Sequence, residues 1–146
     1  MKKISVILLI AAVFMVLSGC ADKTKVEEMK ESVENTQVVQ QPQYSNISPQ
    51  EAKERLDSEE QIILLDVRTK EEYVEKHITD SMLIPLDVLK AEAEAKIWDK
   101  DVPIFVYCRS GRRSAQAADI LVKLGYTNVY NLGGIIDWPY ETVVGE

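Results

Sequence analysis

The chain has 146 residues, of which 46% are hydrophobic and 28% are charged, as in an ordinary soluble globular domain large enough to bury a core. Its two cysteines, Cys20 and Cys108, exclude a disulfide framework, and the single histidine, His77, has no second histidine or cysteine nearby to complete a zinc pattern. The formal net charge of −7 argues against nucleic acid as a partner. We therefore expect one folded domain with neither a cofactor nor a metal.

The first 19 residues have the pattern of a signal peptide. Two lysines at positions 2 and 3 precede an apolar run over residues 4–17, which is shorter than the roughly 20 residues of a membrane-spanning helix. The next residues, L-S-G-C ending at Cys20, resemble the lipobox of bacterial lipoproteins, in which the cysteine carries lipid. This pattern predicts a protein of the cell envelope that a lipid on Cys20 anchors to a membrane, outside the cytoplasm. The alternative is an uncleaved N-terminal anchor with an incidental cysteine.

Residues 20–44 differ in composition from the rest of the chain. They are mostly charged and polar and contain too few large apolar side chains to form a core. We therefore predict a flexible tether there, between the lipidated cysteine and one folded domain that covers residues 45–146.

Capping sequences and apolar runs predict the elements of this domain. Ser48 and Thr69 each begin a capping sequence, with a glutamate three residues later. Residues 62–65 form a continuous apolar run, which is typical of a strand buried on both faces. In chain order, the predicted elements are a helix from Pro49, strand Ile62–Leu65, helix Lys70–Lys76, strand Met82–Ile84, helix Asp87–Lys96, strand Ile104–Tyr107, helix Arg112–Leu124, strand Asn128–Tyr130 and a short helix near Ile135–Tyr140. This order predicts an α/β fold, an open parallel β-sheet of about five strands with helices on both faces.

The loop between the strand at residues 104–107 and the following helix concentrates the chemistry. It begins at Cys108 and holds three of the chain's five arginines, Arg109, Arg112 and Arg113. In open parallel sheets, ligands bind at the carboxyl ends of the strands, and a helix N-terminus presents backbone N–H groups to an anion. The loop therefore predicts an anion site on an otherwise acidic chain.

The same surroundings favour the thiolate form of Cys108. We expect its pKa to lie below the ~8.5 of a free cysteine, because N–H groups, the helix dipole and arginines all stabilise negative charge. Gly111 has no Cβ and allows the backbone to approach the sulfur. The alternative is a buried, inert cysteine. The arginines and the glycine so close to Cys108 favour a reactive one.

The sequence C-R-S-G-R-R, residues 108–113, resembles the active-site loop of rhodanese domains, and further motifs of that family occur in the family's order. They are Leu65-Asp66-Val67-Arg68, Glu71-Glu72-Tyr73, His77-Ile78, Ile84-Pro85, and Gly133-Gly134 with Trp138. Lys76 departs from the family, which commonly has a glycine before the histidine. The resemblance covers about residues 45–140 and implies an enzyme, a thiosulfate sulfurtransferase of the rhodanese type.

The resemblance also implies a covalent mechanism, in which Cys108 takes sulfur from thiosulfate or a similar small anionic donor and keeps it as a persulfide. Cyanide or a thiol, including a thiol carried by a protein, then removes that sulfur. The residues implied in binding the donor and the persulfide are Arg109, Ser110, Gly111, Arg112, Arg113 and Ser114. Asp66, Arg68 and Glu72 are implied as structural support, with the strand end bonded to neighbouring backbone and to Glu72. Which loop arginines face the pocket is left open.

Two other classes of protein remain as alternatives. A sulfur carrier or binding module would hold the persulfide without turnover, and an assay with small donors distinguishes it from an enzyme. The active-site loops of phosphatases and arsenate reductases of this fold follow a C-x5-R pattern. The loop here, from Cys108 to Arg113, follows C-x4-R, and the next residue is Ser114. The shorter loop favours a site for a single sulfur over a site for a tetrahedral oxyanion.

Overall fold

A computed structural model describes residues 43–58 and 61–145 of the chain. The predicted signal peptide, the lipid site at Cys20 and all but the last two residues of the predicted tether lie outside the described residues. Within the two described ranges, no helix combines the length and the apolar character needed to cross a bilayer.

The domain is built on a five-stranded parallel sheet. In chain order its elements are β1 (Ser45–Asn46), α1 (Pro49–Leu56), β2 (Ile63–Asp66), α2 (Lys70–Glu75), β3 (His77–Ile78), β4 (Met82–Leu83), α3 (Leu86–Lys96), β5 (Ile104–Cys108), α4 (Arg112–Lys123), β6 (Val129–Gly134), a short 3₁₀ helix (Ile135–Asp137) and β7 (Thr142–Val143). The sheet has the strand order β1-β6-β5-β2-β4, and β3 pairs with β7 in a separate antiparallel ribbon. The predicted α/β fold with a parallel sheet of about five strands is confirmed.

Two helices begin at the predicted capping residues. The Ser48 hydroxyl accepts a hydrogen bond from the Glu51 N–H at 3.2 Å. At α2 the complete capping box forms, because Thr69 Oγ1 accepts from the Glu72 N–H and the Glu72 carboxylate accepts from the Thr69 N–H. These bonds satisfy backbone donors that have no partner within their own helix, which is why each helix starts where it does.

Buried apolar side chains cover both faces of the sheet. Side chains alternate along β5, so Val106 and Cys108 pack with α3 and α4 on one face, whereas Phe105 and Tyr107 pack with α1 and Trp138 on the other. All five residues of β5 are buried, as expected for the central strand of a parallel sheet. Full burial of a large apolar side chain stabilises the fold by about 1.5–3 kcal/mol. The strand that ends at Cys108 is therefore a firmly held part of the molecule.

Candidate active site

Cys108 is the last residue of β5 and lies under the tight loop that leads into α4. The residue is only 1% exposed, and the Gly111 N–H donates to its sulfur over a nitrogen–sulfur distance of 3.1 Å. Gly111 is the N-cap of α4 and has φ +95°, in the left-handed region that favours glycine. The turn at Gly111 therefore directs a backbone donor at the sulfur.

Ser114, in the first turn of α4, ties the loop to the end of β6. Its hydroxyl is buried and lies 3.7 Å from the Cys108 sulfur. The same hydroxyl lies 2.9 Å from the Gly111 carbonyl oxygen and 3.1 Å from that of Gly133. Because a hydroxyl has a single hydrogen to donate, the two carbonyl oxygens share it. Ser114 thus connects both walls of the site while it remains next to the sulfur.

The end of β6 forms the second wall of the site. The register between β5 and β6 shifts after Val106, and this irregularity brings Gly134 opposite Cys108. A Cβ at Gly134 would lie 2.6 Å from the Arg109 carbonyl oxygen and 2.7 Å from Ser110 Cα. Those are backbone atoms of the loop, so only glycine allows β6 to lie this close to it.

The surroundings of Cys108 act on its ionisation in opposite directions. Burial raises the pKa of the thiol, but hydrogen bonding with Ser114 and with the backbone at Ser110 and Gly111 outweighs burial and brings the pKa below its ordinary value. Cys108 forms no disulfide within the described part of the chain. Since the thiolate is the nucleophilic form of cysteine, the arrangement favours attack by this sulfur.

Glu72 holds Arg113 in place. Two guanidinium nitrogens of Arg113 each lie 2.7 Å from a different oxygen of the Glu72 carboxylate, the two-pronged arrangement that these groups favour. The hydrogen bonds from Arg113 lower the pKa of Glu72 to about 2. The hydrogen bond to Glu72 raises the pKa of Arg113 above its ordinary value, and the Cys108 sulfur acts in the same direction to a smaller extent.

The other two loop arginines face solvent. Arg109 and Arg112 are exposed, and neither forms an ion pair with any residue in the described ranges. Their charge is therefore available to an anion that approaches the loop from outside, whereas the charge of Arg113 is matched by a carboxylate.

The structure corrects the expected partner of Glu72, which pairs with Arg113 and not with Arg68. The Arg68 Nε atom donates to the Asp66 carboxylate at 3.0 Å, and Nη2 donates to it at 2.6 Å. Nη2 also donates to the Lys76 carbonyl oxygen at 2.6 Å. Asp66 and Arg68 are both buried, and together they connect the end of β2 to the end of α2.

A cavity of about 310 Å³ lies at the carboxyl ends of β2 and β4, beside the first turn of α4. We call this cavity the side pocket; its lining residues are Val67, Arg68, Thr69, Pro85, Leu86, Asp87 and Arg113. Arg113 is thus the loop arginine that lines the side pocket. Leu86 and Asp87 directly follow the Ile84-Pro85 motif, but the sequence pattern does not predict them as site residues.

The remaining motif residues pack around the site. The ring of His77 stacks on that of Tyr73 with centroids 3.7 Å apart, and His77 Nδ1 lies 2.9 Å from the Tyr73 carbonyl oxygen. Trp138 is buried on the α1 face of the sheet. Among the residues that the structure describes, no three histidine, cysteine, aspartate or glutamate side chains come together as metal ligands would.

Residues 48–140 match the rhodanese-like domain family. The chain is 40% identical over 81 residues to the thiosulfate sulfurtransferase PspE of Escherichia coli, an alignment that covers 56% of this chain and 78% of that protein. It is 38% identical over 95 residues to a sulfurtransferase of Allochromatium vinosum, covering 64% of this chain and 87% of that protein. A solved structure described as a rhodanese with anions from E. coli has a TM-score of 0.55 and 38% identity, covering 57% of this chain and 99% of that chain. The chain therefore belongs to the rhodanese-like family, and it is a sulfurtransferase.

Proposed function

We propose that the chain moves sulfane sulfur from thiosulfate, or a similar small anionic donor, to cyanide or a thiol through a persulfide on Cys108. The observation that carries this proposal is the Cys108 sulfur itself, which has a lowered pKa and a backbone donor, Gly111 N–H, at 3.1 Å. Similarity to PspE, which is named a thiosulfate sulfurtransferase, supports the choice of donor.

The proposed transfer takes two steps. The Cys108 thiolate attacks the outer sulfur of thiosulfate, the sulfur–sulfur bond of the donor breaks, and sulfite leaves with the bonding electron pair. The acceptor anion then attacks the outer sulfur of the persulfide, and Cys108 leaves as a thiolate. Neither step needs a general base, because the attacking group is an anion in both.

Backbone donors stabilise the negative charge at each stage. The Gly111 N–H donates to the Cys108 sulfur, and the backbone at Ser110 and Ser114 also acts to lower the pKa of the thiol. We assign to them the stabilisation of the thiolate and then of the persulfide, as an oxyanion hole does for an oxygen anion. Because these donors belong to the backbone, the loop conformation matters more than the identity of its side chains.

Side chains of the loop recruit the donor. On a chain with a net charge of −7, Arg109 and Arg112 provide local positive charge that attracts a small dianion. Arg113, which Glu72 holds in place at the start of α4, orients the donor at the entrance. Asp66 and Arg68 support the strand end and take no part in the chemistry.

Intact-protein mass spectrometry tests the nucleophile. The full chain, purified in detergent and treated with thiosulfate, is expected to gain the mass of one sulfur atom and to release it as thiocyanate when cyanide is added. Cys108→Ser should gain no sulfur and show no thiosulfate:cyanide transfer, with an unchanged circular dichroism spectrum. Cys20→Ser, which replaces the other cysteine of the chain, is the matched control and should keep both the sulfur gain and the transfer. Retained transfer in a folded Cys108→Ser variant would overturn the assignment.

We further propose that Cys20 carries lipid, that residues 1–19 are removed, and that residues 20–44 tether the domain outside the cytoplasm. The apolar run before L-S-G-C supports this proposal. In fractionated cells, the wild-type chain should sediment with membranes, and Cys20→Ala should shift towards the soluble fraction. A wild-type chain that is soluble and unlipidated would exclude the anchor.

A further inference from the structure

The side pocket carries charges that recruitment of a dianionic donor does not explain. Both of its arginines are matched by carboxylates, since Arg68 pairs with Asp66 and Arg113 pairs with Glu72. Asp87 also lines the side pocket, is exposed, and forms no ion pair with any of the described residues. Asp87 is therefore the charged group of the lining that has no ion-pair partner among the described residues, and it would attract a cation.

The side pocket lies next to the strand end that carries the reacting sulfur. The β2–β5 register pairs Asp66 with Tyr107, so the next residues, Val67 and Cys108, lie side by side at the carboxyl ends of adjacent strands. Val67 and Cys108 also belong to the same buried cluster. Arg113 connects the side pocket to the sulfur site from the other side, since it lines the side pocket and the hydroxyl of the next residue, Ser114, lies 3.7 Å from the Cys108 sulfur.

The walls of the side pocket suit a small organic molecule. Val67, Pro85 and Leu86 present apolar surface, and a volume of about 310 Å³ is at the lower end of the range for small-molecule sites. Cyanide has only two heavy atoms, so its binding does not require such an apolar surface. A thiol acceptor with a short carbon chain could place its methylene groups there while its sulfur approaches Cys108.

We propose that the side pocket is the acceptor site, and that it favours a small aminothiol, whose ammonium group pairs with Asp87 while its thiolate faces the Cys108 persulfide. This proposal rests on the proposed persulfide. The acceptor thiol first loses its proton to water. Its thiolate attacks the outer persulfide sulfur, the bond between that sulfur and Cys108 breaks, and the Cys108 sulfur keeps the bonding pair. The product is an organic persulfide, and no external oxidant or reductant is consumed.

Three thiols of nearly equal size test the role of charge: cysteamine, which carries an ammonium group; 2-mercaptoethanol, which is neutral; and 3-mercaptopropionate, which carries a carboxylate. The persulfide form of the full chain is made with thiosulfate, freed of donor by gel filtration, and mixed with each thiol. The rate constant for loss of the persulfide is divided by the thiolate fraction of the thiol. We expect cysteamine to react about fivefold faster than 2-mercaptoethanol, and 3-mercaptopropionate to react more slowly than both.

Two substitutions at Asp87 test its assignment. Asp87→Asn is expected to remove the advantage of cysteamine, and Asp87→Lys is expected to reverse the order of the two charged thiols. Asp119→Asn makes the same change at an exposed position on another helix, α4, and should keep the wild-type order of the three thiols' rate constants. If thiosulfate forms no persulfide, the proposed donor reaction fails, and the acceptor site fails with it. If the persulfide forms and both Asp87 variants keep the wild-type order, the side pocket is not the acceptor site, and the donor reaction stands.

Discussion

Replacing Gly134 with alanine should disturb the sulfur site more than the fold. The backbone of Gly134 has φ −111° and ψ 139°, a conformation that alanine adopts without strain. The added methyl group would lie 2.6 Å from the Arg109 carbonyl oxygen, so the loop and β6 must separate by about 0.8 Å to reach ordinary contact. Overpacking of this kind costs about 1–3 kcal/mol in the free energy of unfolding. A misplacement of about 1 Å near reacting atoms costs up to about 10²-fold in rate.

Gly125→Ala is the matched control for this variant. Gly125 follows the C-terminal end of α4, and a methyl group there meets no atom within 4 Å, but its φ of +90° forces alanine into the left-handed region, at about 1–2 kcal/mol. The two variants therefore lose similar stability for different reasons. Only Gly134→Ala should lose sulfur transfer, by about 10- to 100-fold in kcat/KM. The assay uses thiosulfate and cyanide at a temperature well below the Tm of both variants. Equal kcat/KM values for the two folded variants would refute the argument from close packing.

Three further predictions concern the loop and its supports. The Cys108 thiolate should react with iodoacetamide at pH values below the ordinary range of a thiol, and Ser114→Ala should shift this profile upward; an ordinary thiol profile in the wild type would contradict the lowered pKa. Glu72→Gln should lower the free energy of unfolding by about 1–2 kcal/mol at neutral pH, because it breaks the pair with Arg113. Since folding lowers the pKa of this carboxyl from 4.5 to about 2, the stabilisation is complete above the higher value and is lost as pH falls towards the lower one. Urea-unfolding midpoints of the two proteins should therefore converge in acid, and a constant gap would count against the pair. Inserting one glycine after Gly111 should sharply reduce sulfur transfer, because the ring of N–H donors widens; robust aryl phosphatase turnover by the unmodified chain would contradict the assignment of the loop to sulfur.

Local sequence predicts the parts of the fold that local forces determine. The apolar runs of β2 and β5 and the caps at Ser48 and Thr69 appear in the structure within a residue or two of their predicted positions. Strands β1, β3 and β7, which the sequence does not predict, have two residues each, too few to show a period, and each is defined by its pairing with another strand. The strand predicted to end at Tyr130 continues to Gly134. Two glycines argue against a strand interior, and only the register shift opposite β5 shows why they are tolerated.

The candidate site likewise has features that the sequence predicts and features that depend on the folded arrangement. The position of Cys108 at a strand end, with donors from a helix N-terminus, follows from the order of the elements. The partner of Glu72 does not, because Arg113 lies 41 residues away in the sequence and meets it only in the folded domain. Arg68, four residues before Glu72, has a spacing that suits a helix, but it precedes α2 and instead bonds to Asp66 two residues earlier. Spacing predicts contacts within one element, and a contact between elements depends on the folded arrangement.

The distribution of charge around Cys108 suits both halves of the transfer. A strong cation fixed on the sulfur would lower its pKa further, but the nucleophilicity of a thiolate falls as its pKa falls. Here hydrogen bonding with neutral groups, the loop backbone and Ser114, lowers the pKa, while the guanidinium of Arg113 is matched by Glu72. The lowered pKa therefore favours the ionised sulfur in the first step and its departure in the second, without the loss of nucleophilicity that a fixed cation would cause. Placing the unmatched arginines, Arg109 and Arg112, at the exposed rim attracts the donor without weakening the nucleophile.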